Sequence, residues 1–231
     1  MPIVRTLNQE FFSAWTPEMA YVLGFFAADG SMLENNRGAR FIEFTITDRE
    51  ILEYIQEVTN SNHRISERAS RKEGWKIQYR LQIGSRRWFD DLARLGFTQA
   101  KSQSLKFPAV PKSMLAGFVR GYFDGDGCVH FKKYHSKERG REIWVLSTSF
   151  TSGSVNFLES LFHVLKKVGV KGGRIATKER GYELVLSRHD SLALYRFMYH
   201  TGEATELFLA RKRQKLEEAI RVLGLDKKLQ S

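Results

Sequence analysis

Two nine-residue segments of the 231-residue chain match in register: Val22-Leu23-Gly24-Phe25-Phe26-Ala27-Ala28-Asp29-Gly30 and Val119-Arg120-Gly121-Tyr122-Phe123-Asp124-Gly125-Asp126-Gly127. Each carries a glycine, two aromatics, a small residue and then Asp-Gly. On a helix, Gly24 and Ala28 share one face, and so do Gly121 and Gly125. Glycine inside a helix costs about 0.5–1 kcal/mol relative to alanine, so a close backbone approach must compensate. The simplest use is for the two helices to pack on each other at a pseudo-two-fold axis. Asp29 and Asp126 then fall in the last helical turns, side by side, where each opposes its helix dipole and repels the other. A hard divalent cation with oxygen ligands removes both penalties, with phosphate oxygens completing its shell. Two carboxylates holding metal over a phosphodiester is the logic of metal-assisted phosphoryl hydrolysis. A single Asp-Gly after an aromatic pair reads as a helix end and a turn, whereas two in one register point to a shared site. Gly30 and Gly127 are expected in the left-handed conformation that ends many helices.

These motifs need elements to hold them. Thr16-Pro17 is a helix start, an N-cap hydroxyl followed by proline at the first helical position. Arg40 to Leu52 reads as a strand running into a helix, as does Ile143 to Leu158, with Thr47 and Thr151 near the junctions. From Phe41 to Ile46 the side chains alternate, with Ile42, Phe44 and Ile46 on a wholly apolar face. Trp75 to Ile83 alternates likewise, with Ile77, Tyr79, Leu81 and Ile83 opposite Lys76, Gln78, Arg80 and Gln82. Such strands make a sheet with one buried face and one polar, partly basic face. Leu81-Gln82-Ile83-Gly84-Ser85-Arg86 has its counterpart in Glu183-Leu184-Val185-Leu186-Ser187-Arg188. Each half therefore reads helix, two strands, helix, two strands, helix. The break falls near Phe107-Pro108-Ala109-Val110-Pro111, where paired prolines favour an extended connector. The expected divisions are residues 1–107, a linker over 108–113, and 114–231.

Composition narrows the partner. The chain is 42% hydrophobic and 13% aromatic with four prolines, which excludes a disordered tail, a collagen-like repeat and a disulfide-stapled miniprotein. The formal net charge is +11, which suggests a polyanion, with nucleic acid ahead of a membrane surface. The surplus is uneven, because residues 1–113 carry 16 basic and 13 acidic side chains while 114–231 carry 21 and 13. Cys128 is the only cysteine, so no intrachain disulfide forms and a reducing compartment fits. No apolar run approaches the roughly 20 residues of a membrane span, and Met1 to Glu10 lacks a signal peptide's apolar core. An intracellular protein, cytoplasmic or organellar and not secreted, is expected.

At the two motifs the chain resembles the LAGLIDADG homing endonucleases, whose pattern maps onto Val22 to Gly30 and Val119 to Gly127. The resemblance extends over roughly Pro17 to Ile220. Two motifs in one chain make it similar to the single-chain members, which act as pseudo-symmetric monomers. The resemblance implies an α+β fold of two αββαββα halves packed through the motif helices, with antiparallel sheets forming a DNA-binding saddle. It implies cleavage of both strands of a long DNA site, dependent on Mg²⁺ and leaving 3′ overhangs. Mn²⁺ is expected to substitute, and Ca²⁺ to support binding without efficient cleavage. The family's metal ligand lands on Asp29 and Asp126, and the preceding Ala28 and Gly125 are placed to add backbone carbonyls. The first motif aspartate is present as Asp124 but is Ala27 in the first copy. Lys101 and Lys212 resemble the lysines near the scissile phosphates, and Asp48 and Ser152 the position that orders solvent. Some relatives keep the fold as a non-cleaving nucleic-acid binder, assisting intron splicing or regulating transcription. Both motif carboxylates are present here, which favours the nuclease. With no obvious splicing blocks at its ends, the chain is expected to be free-standing rather than an intein.

Many basic side chains fall on or beside the expected sheets and are assigned to DNA. They are Arg37, Arg40, Arg64, Arg68, Arg71, Lys72, Lys76 and Arg80 in the first half, and Lys132, Lys133, Lys137, Arg139, Arg141, Arg174, Lys178 and Arg180 in the second. Ordinary solvated faces are the alternative reading. Cys128, His130 and His135 cluster without a Cys-x-x-Cys pair, so zinc is not expected.

Overall fold

A computed structural model describes residues 5–68, 76–99, 101–138, 140–201 and 207–226, with the side chains of Lys101 and Ser102 outside that description. The first half runs α1 (Pro17–Asp29), β1 (Gly30–Glu34), β2 (Arg40–Ile46), α2 (Arg49–Val58), β3 (Ile65–Arg68), β4 (Gln78–Gly84) and α3 (Arg86–Arg94). After the short α4 (Lys101–Ser104) the order recurs. It runs α5 (Leu115–Asp126), β5 (Gly127–Ser136), β6 (Arg141–Ser152), α6 (Val155–Lys167), β7 (Arg174–Lys178), β8 (Gly181–Leu186) and α7 (Arg188–His200), with α8 (Ala210–Val222) following. Each half holds a four-stranded antiparallel sheet, in orders β1-β2-β4-β3 and β5-β6-β8-β7. The αββαββα repeat expected from the sequence is thus present in both halves. No helix among the described residues is long and apolar enough to cross a membrane.

The chain forms two compact units. One takes the first sheet, its helices and Pro108–Gly125, so it contains α1 and nearly all of α5; the other takes Ser102–Phe107, the second sheet and the helices that follow it.

Local chemistry accounts for the elements. Thr16 Oγ1 accepts from Met19 N–H at 3.1 Å, and Pro17 occupies the first turn of α1. Met19 through Ala27 are all buried, so α1 is apolar around its circumference, as a helix enclosed by protein must be. In β2, Ile42 and Phe44 are fully buried and Ile46 nearly so, with Phe44 stacked on Phe25 at 6.2 Å and edge-on to Phe26 at 5.8 Å. Below the second sheet, Phe150, Phe157, Leu161 and Leu165 are fully buried.

Two expectations are corrected. Gly30 has φ −91° and ψ 159°, extended rather than left-handed, and Gly127 is not among the glycines of positive φ. The chain passes from helix to strand with no intervening loop, so extended backbone is what the geometry requires. Glycine is needed at position 30 because a Cβ there would lie 2.1 Å from the Phe26 ring. The fourth strand begins at Gln78, which pairs with Arg68, and Ile77 before it is not part of the strand and is 47% exposed. Trp75 lies outside the described residues.

Candidate active site

The motif helices meet backbone to backbone. A Cβ on Gly24 would lie 2.0 Å from the Phe118 carbonyl oxygen, and one on Gly121 would lie 2.0 Å from that of Tyr21. The two contacts are reciprocal, since Tyr21 and Phe118 occupy equivalent motif positions. One turn on, a Cβ on Gly125 would stand 2.4 Å from the Ala28 Cβ and 3.2 Å from Asp29 Oδ2. There is room for one methyl at that level, and Ala28 carries it. Asp29 and Asp126 are both half-buried. The Asp29 carboxylate lies against Gly125, the residue directly before Asp126.

Asp124, fully buried, accepts from Tyr21 Oη–H at 2.8 Å. The equivalent pair in the other direction is Phe118 and Ala27. The missing aspartate of the first motif copy therefore goes with a missing hydroxyl on the facing helix.

In the second unit, the backbone around Asp126 is held by side chains. Thr151 Oγ1 donates to the Asp126 carbonyl at 3.0 Å, and Lys212 Nζ donates to the Gly127 carbonyl at 2.6 Å. Lys212 is only 6% exposed, which puts its charge inside the protein beside the end of α5. Ser152 Oγ accepts from Ser154 N–H at 3.1 Å, tying the end of β6 to the start of α6. An open depression of about 540 Å³ is lined by Asp126, Thr151, Ser152, Gly153 and the β7–β8 turn from Lys178 to Tyr182. Gly181, at φ +143°, lets that turn approach, since a Cβ there would lie 2.6 Å from the Ser152 carbonyl oxygen. In the first unit, Asp48 occupies the N-cap position of α2 without bonding the helix amides. Lys101 opens α4.

Among the described residues no group of three or more His, Cys, Asp or Glu could hold a metal ion. A cation held by the motif aspartates must complete its shell with carbonyl, phosphate or water oxygens. Cys128 and His130 share the open face of β5 while His135 alternates to the other side. His130 Nε2 bonds Tyr134 Oη at 2.6 Å.

The basic residues assigned to DNA separate by face. Arg68 and Arg80 lie on the open face of the first sheet, and Lys132, Arg141, Arg174 and Lys178 on that of the second. Arg37, Lys137 and Arg180 sit in hairpin turns, and Arg64 and Lys76 flank strands. Arg40 turns to the helix side, bonded to Glu34 at 3.1 Å and Asp90 at 2.6 Å, with its guanidinium 4.8 Å from the Phe89 ring centre. Lys133 pairs with Glu142, and Lys178 with Glu183 at 2.8 Å. Arg71, Lys72 and Arg139 lie outside the described residues. Sequence reasoning missed the neutral and acidic groups beside these cations. Gln82 Nε2 donates to Glu43 at 3.0 Å, and Arg80 approaches Glu43 at 3.6 Å. Period-two alternation puts Glu43 and Gln82 on open faces, and that is the signal that points to them.

The chain matches the LAGLIDADG-like domain family over residues 16–95 and 113–198. Similar solved structures include the LAGLIDADG meganuclease I-AabMI bound to uncleaved DNA, at 16% identity and TM-score 0.62, covering 93% of this chain and 92% of that one. The homing endonuclease I-WcaI bound to its DNA recognition sequence gives 15% identity and TM-score 0.61, with 90% and 91% covered. I-SmaMI bound to cleaved DNA gives 15% and 0.58, with 94% and 92% covered. At these identities the likeness is one of fold. A curated relative, the A-type ATP synthase B subunit of Methanopyrus kandleri, is 28% identical over 177 residues, 77% of this chain. The matched stretch spans 15% of that protein's length.

Proposed function

The chain belongs to the LAGLIDADG-like domain family, and on that footing we propose that it is a site-specific endonuclease that hydrolyses double-stranded DNA with divalent metal ions and leaves 3′ overhangs. The observation that carries this reading is the reciprocal glycine packing of the motif helices, which sets the Asp29 carboxylate against Gly125, next in sequence to Asp126. Asp29 and Asp126 each end a motif helix, and carboxylates are hard oxygen donors that suit Mg²⁺ or Mn²⁺. The Ala28 and Gly125 carbonyls supply neutral oxygens beside them. The bound ion supplies charge neutralisation at the phosphodiester and a water more easily deprotonated than in bulk. Lys212 stabilises charge that develops on the phosphate, with Lys101 as its first-half counterpart. Asp48 and Ser152 order solvent at the ends of the second strand of each half. The basic residues on the open faces give salt-sensitive affinity, and the polar residues between them read base edges in the major groove. The enzyme acts as a monomer, because one chain carries both motif copies.

The test pairs gel shifts with cleavage time courses on a duplex selected from a randomised pool, in Mg²⁺, Ca²⁺ and chelator. Binding and cutting are expected in Mg²⁺, and binding with little cutting in Ca²⁺, whose looser coordination positions water and phosphate poorly. Selective binding with no cutting in Mg²⁺ or Mn²⁺ makes the protein a non-cleaving binder. Cutting that persists in chelator overturns the metal mechanism.

A further inference from the structure

The open faces of the two sheets differ in chemistry. On the first, the register aligns Ser31, Glu43 and Gln82 in one row and Thr45, Arg80 and Ser66 in the next, with Gln78 opposite Arg68 beyond. Glu43 orients Gln82 at 3.0 Å and Arg80 at 3.6 Å. Among the described residues, the apolar side chains on this face are the neighbouring pair Leu33 and Phe41. Amide, guanidinium and carboxylate groups match the donor and acceptor edges of adenine, guanine and cytosine respectively.

Among its described residues, the second face carries four aliphatic side chains, each half-buried: Ile143 and Val145 on β6, Val185 on β8 and Ala176 on β7, with the aromatic Tyr134 exposed opposite Ile143. Around them stand the small hydroxyls Ser147, Ser149 and Thr151, and the one carboxylate among them, Glu183 beside Ala176, is engaged by Lys178 at 2.8 Å. Lys132 and Arg174 lie beside Val145 and Val185 in the register, so the apolar groups are set among cations. This half also holds most of the molecule's surplus positive charge. That charge commits the face to a polyanion rather than to another protein's apolar surface. Within a DNA major groove, the one apolar group offered by the bases is the thymine 5-methyl. Residues on one strand face recur about every 6.8 Å, close to two base-pair steps, so successive apolar side chains meet separate base pairs.

Resting on the DNA-binding reading above, we infer that the two half-sites differ in kind. The β5–β8 sheet takes a thymine-rich half-site, read largely through methyl contacts, and the β1–β4 sheet takes one read through hydrogen-bonding edges. Ile143, Val145, Ala176 and Val185 are the specificity-determining residues for the first of these.

Uracil replaces thymine with loss of the 5-methyl alone, so it isolates the contact. The experiment selects a binding duplex from a randomised pool with the full chain. It then measures affinity in Ca²⁺ for duplexes with uracil at each thymine in turn, for the natural protein and for Val145→Thr and Val185→Thr. Several uracil-sensitive positions are expected in one half-site, each about fourfold weaker, the factor for one buried methyl. The other half-site should show at most the one position that Leu33 and Phe41 reach. The threonine variants keep side-chain shape and β-branching, and each should abolish sensitivity at its own position. Sensitive positions spread evenly over both halves, or absent with selective binding intact, overturn the inference and leave the endonuclease reading standing. Clustered sensitivity that neither variant relieves overturns the assignment to the second sheet. A pool that yields no selective duplex removes the DNA-binding reading and this inference with it. Should a threonine variant fail to fold, the uracil series on the natural protein still decides whether the halves differ.

Discussion

Asp126 contributes its main chain and its side chain to different tasks. The carbonyl accepts the Thr151 hydroxyl at 3.0 Å, an interaction that any residue at 126 keeps. Asp126→Asn therefore preserves the fold while removing an anionic ligand. Cleavage should fall about 100-fold or more, a loss that even outer-shell partners of a metal can cause. Metal-free stability should hold level or rise by about 0.3–1 kcal/mol, since the carboxylate no longer opposes the α5 dipole. Single-turnover cleavage and a thermal melt of the same preparation check both halves; wild-type cleavage removes Asp126 from the site. Lys212 is a different case. Its buried bond to the Gly127 carbonyl makes it structural as well, and Lys212→Met should cost about 1–3 kcal/mol by stranding that oxygen. Its kinetics must be compared below the variant's melting range. Asp190 gives a pH signature of its own. Burial pushes its carboxyl up, but hydrogen bonds from Gly172 N–H, the Ser187 hydroxyl and Lys171 N–H outweigh this and hold it below the ordinary aspartate value. A depressed folded value means the carboxylate stabilises the fold above the unfolded value, and that this stability is lost as pH falls through the folded one. Melts between about pH 2 and 6 should show a shallower acid limb in Asp190→Asn than in the natural protein.

The motif helices are the element on which the site depends, and they tolerate almost no added volume. Even Gly24→Ala drives a methyl to 2.0 Å from a backbone oxygen, and Gly121→Leu drives a branched side chain into the same kind of contact. Neither obstacle is a side chain that can rotate away, so each change should cost about 3 kcal/mol or more. A soluble Gly121→Leu protein with wild-type stability and cleavage would remove this interface. Tyr21→Phe takes one hydrogen bond from buried Asp124 and should cost about 1–3 kcal/mol in a denaturant melt. Phe118→Tyr adds a hydroxyl facing Ala27, which offers it no side-chain acceptor. The contrast between these elements shows what the chain made legible. Gly24 and Gly121 were readable because small residues at helical spacing have few other uses. The Tyr21–Asp124 bond was not, because the pairing depends on how far one helix is offset along the other, which neither motif encodes. The open-face parity of β2 and β4 followed from alternation alone. The start of β4 did not, because Ile77 continues the apolar pattern one residue before the strand begins.

For the whole molecule, charge is the property that counts. Residues 114–231 carry a surplus of 8 positive charges out of 11, so the second half should dominate attraction to DNA. The surplus overstates the contacts, because Arg40, Arg80, Lys133 and Lys178 already engage carboxylates of their own chain. Paired cations exchange one partner for another on binding, and release fewer counterions than unpaired ones. If six to ten phosphates are neutralised, affinity should fall about 10³- to 10⁵-fold between roughly 50 and 200 mM salt. The slope also separates contributions residue by residue. Lys132 and Arg174 stand on the open face of the second sheet, and Lys132→Gln with Arg174→Gln should lower the salt slope by about 2, one unit for each phosphate no longer neutralised. Arg40→Gln should leave the slope unchanged, because that guanidinium is held on the helix side of its sheet by Glu34 and Asp90. Fluorescence anisotropy titrations of one duplex at four salt concentrations measure all three proteins. A slope lowered by Arg40→Gln and untouched by the double change would mean that DNA lies against the helix side of the first sheet, and the assignment of the open faces to DNA would fall.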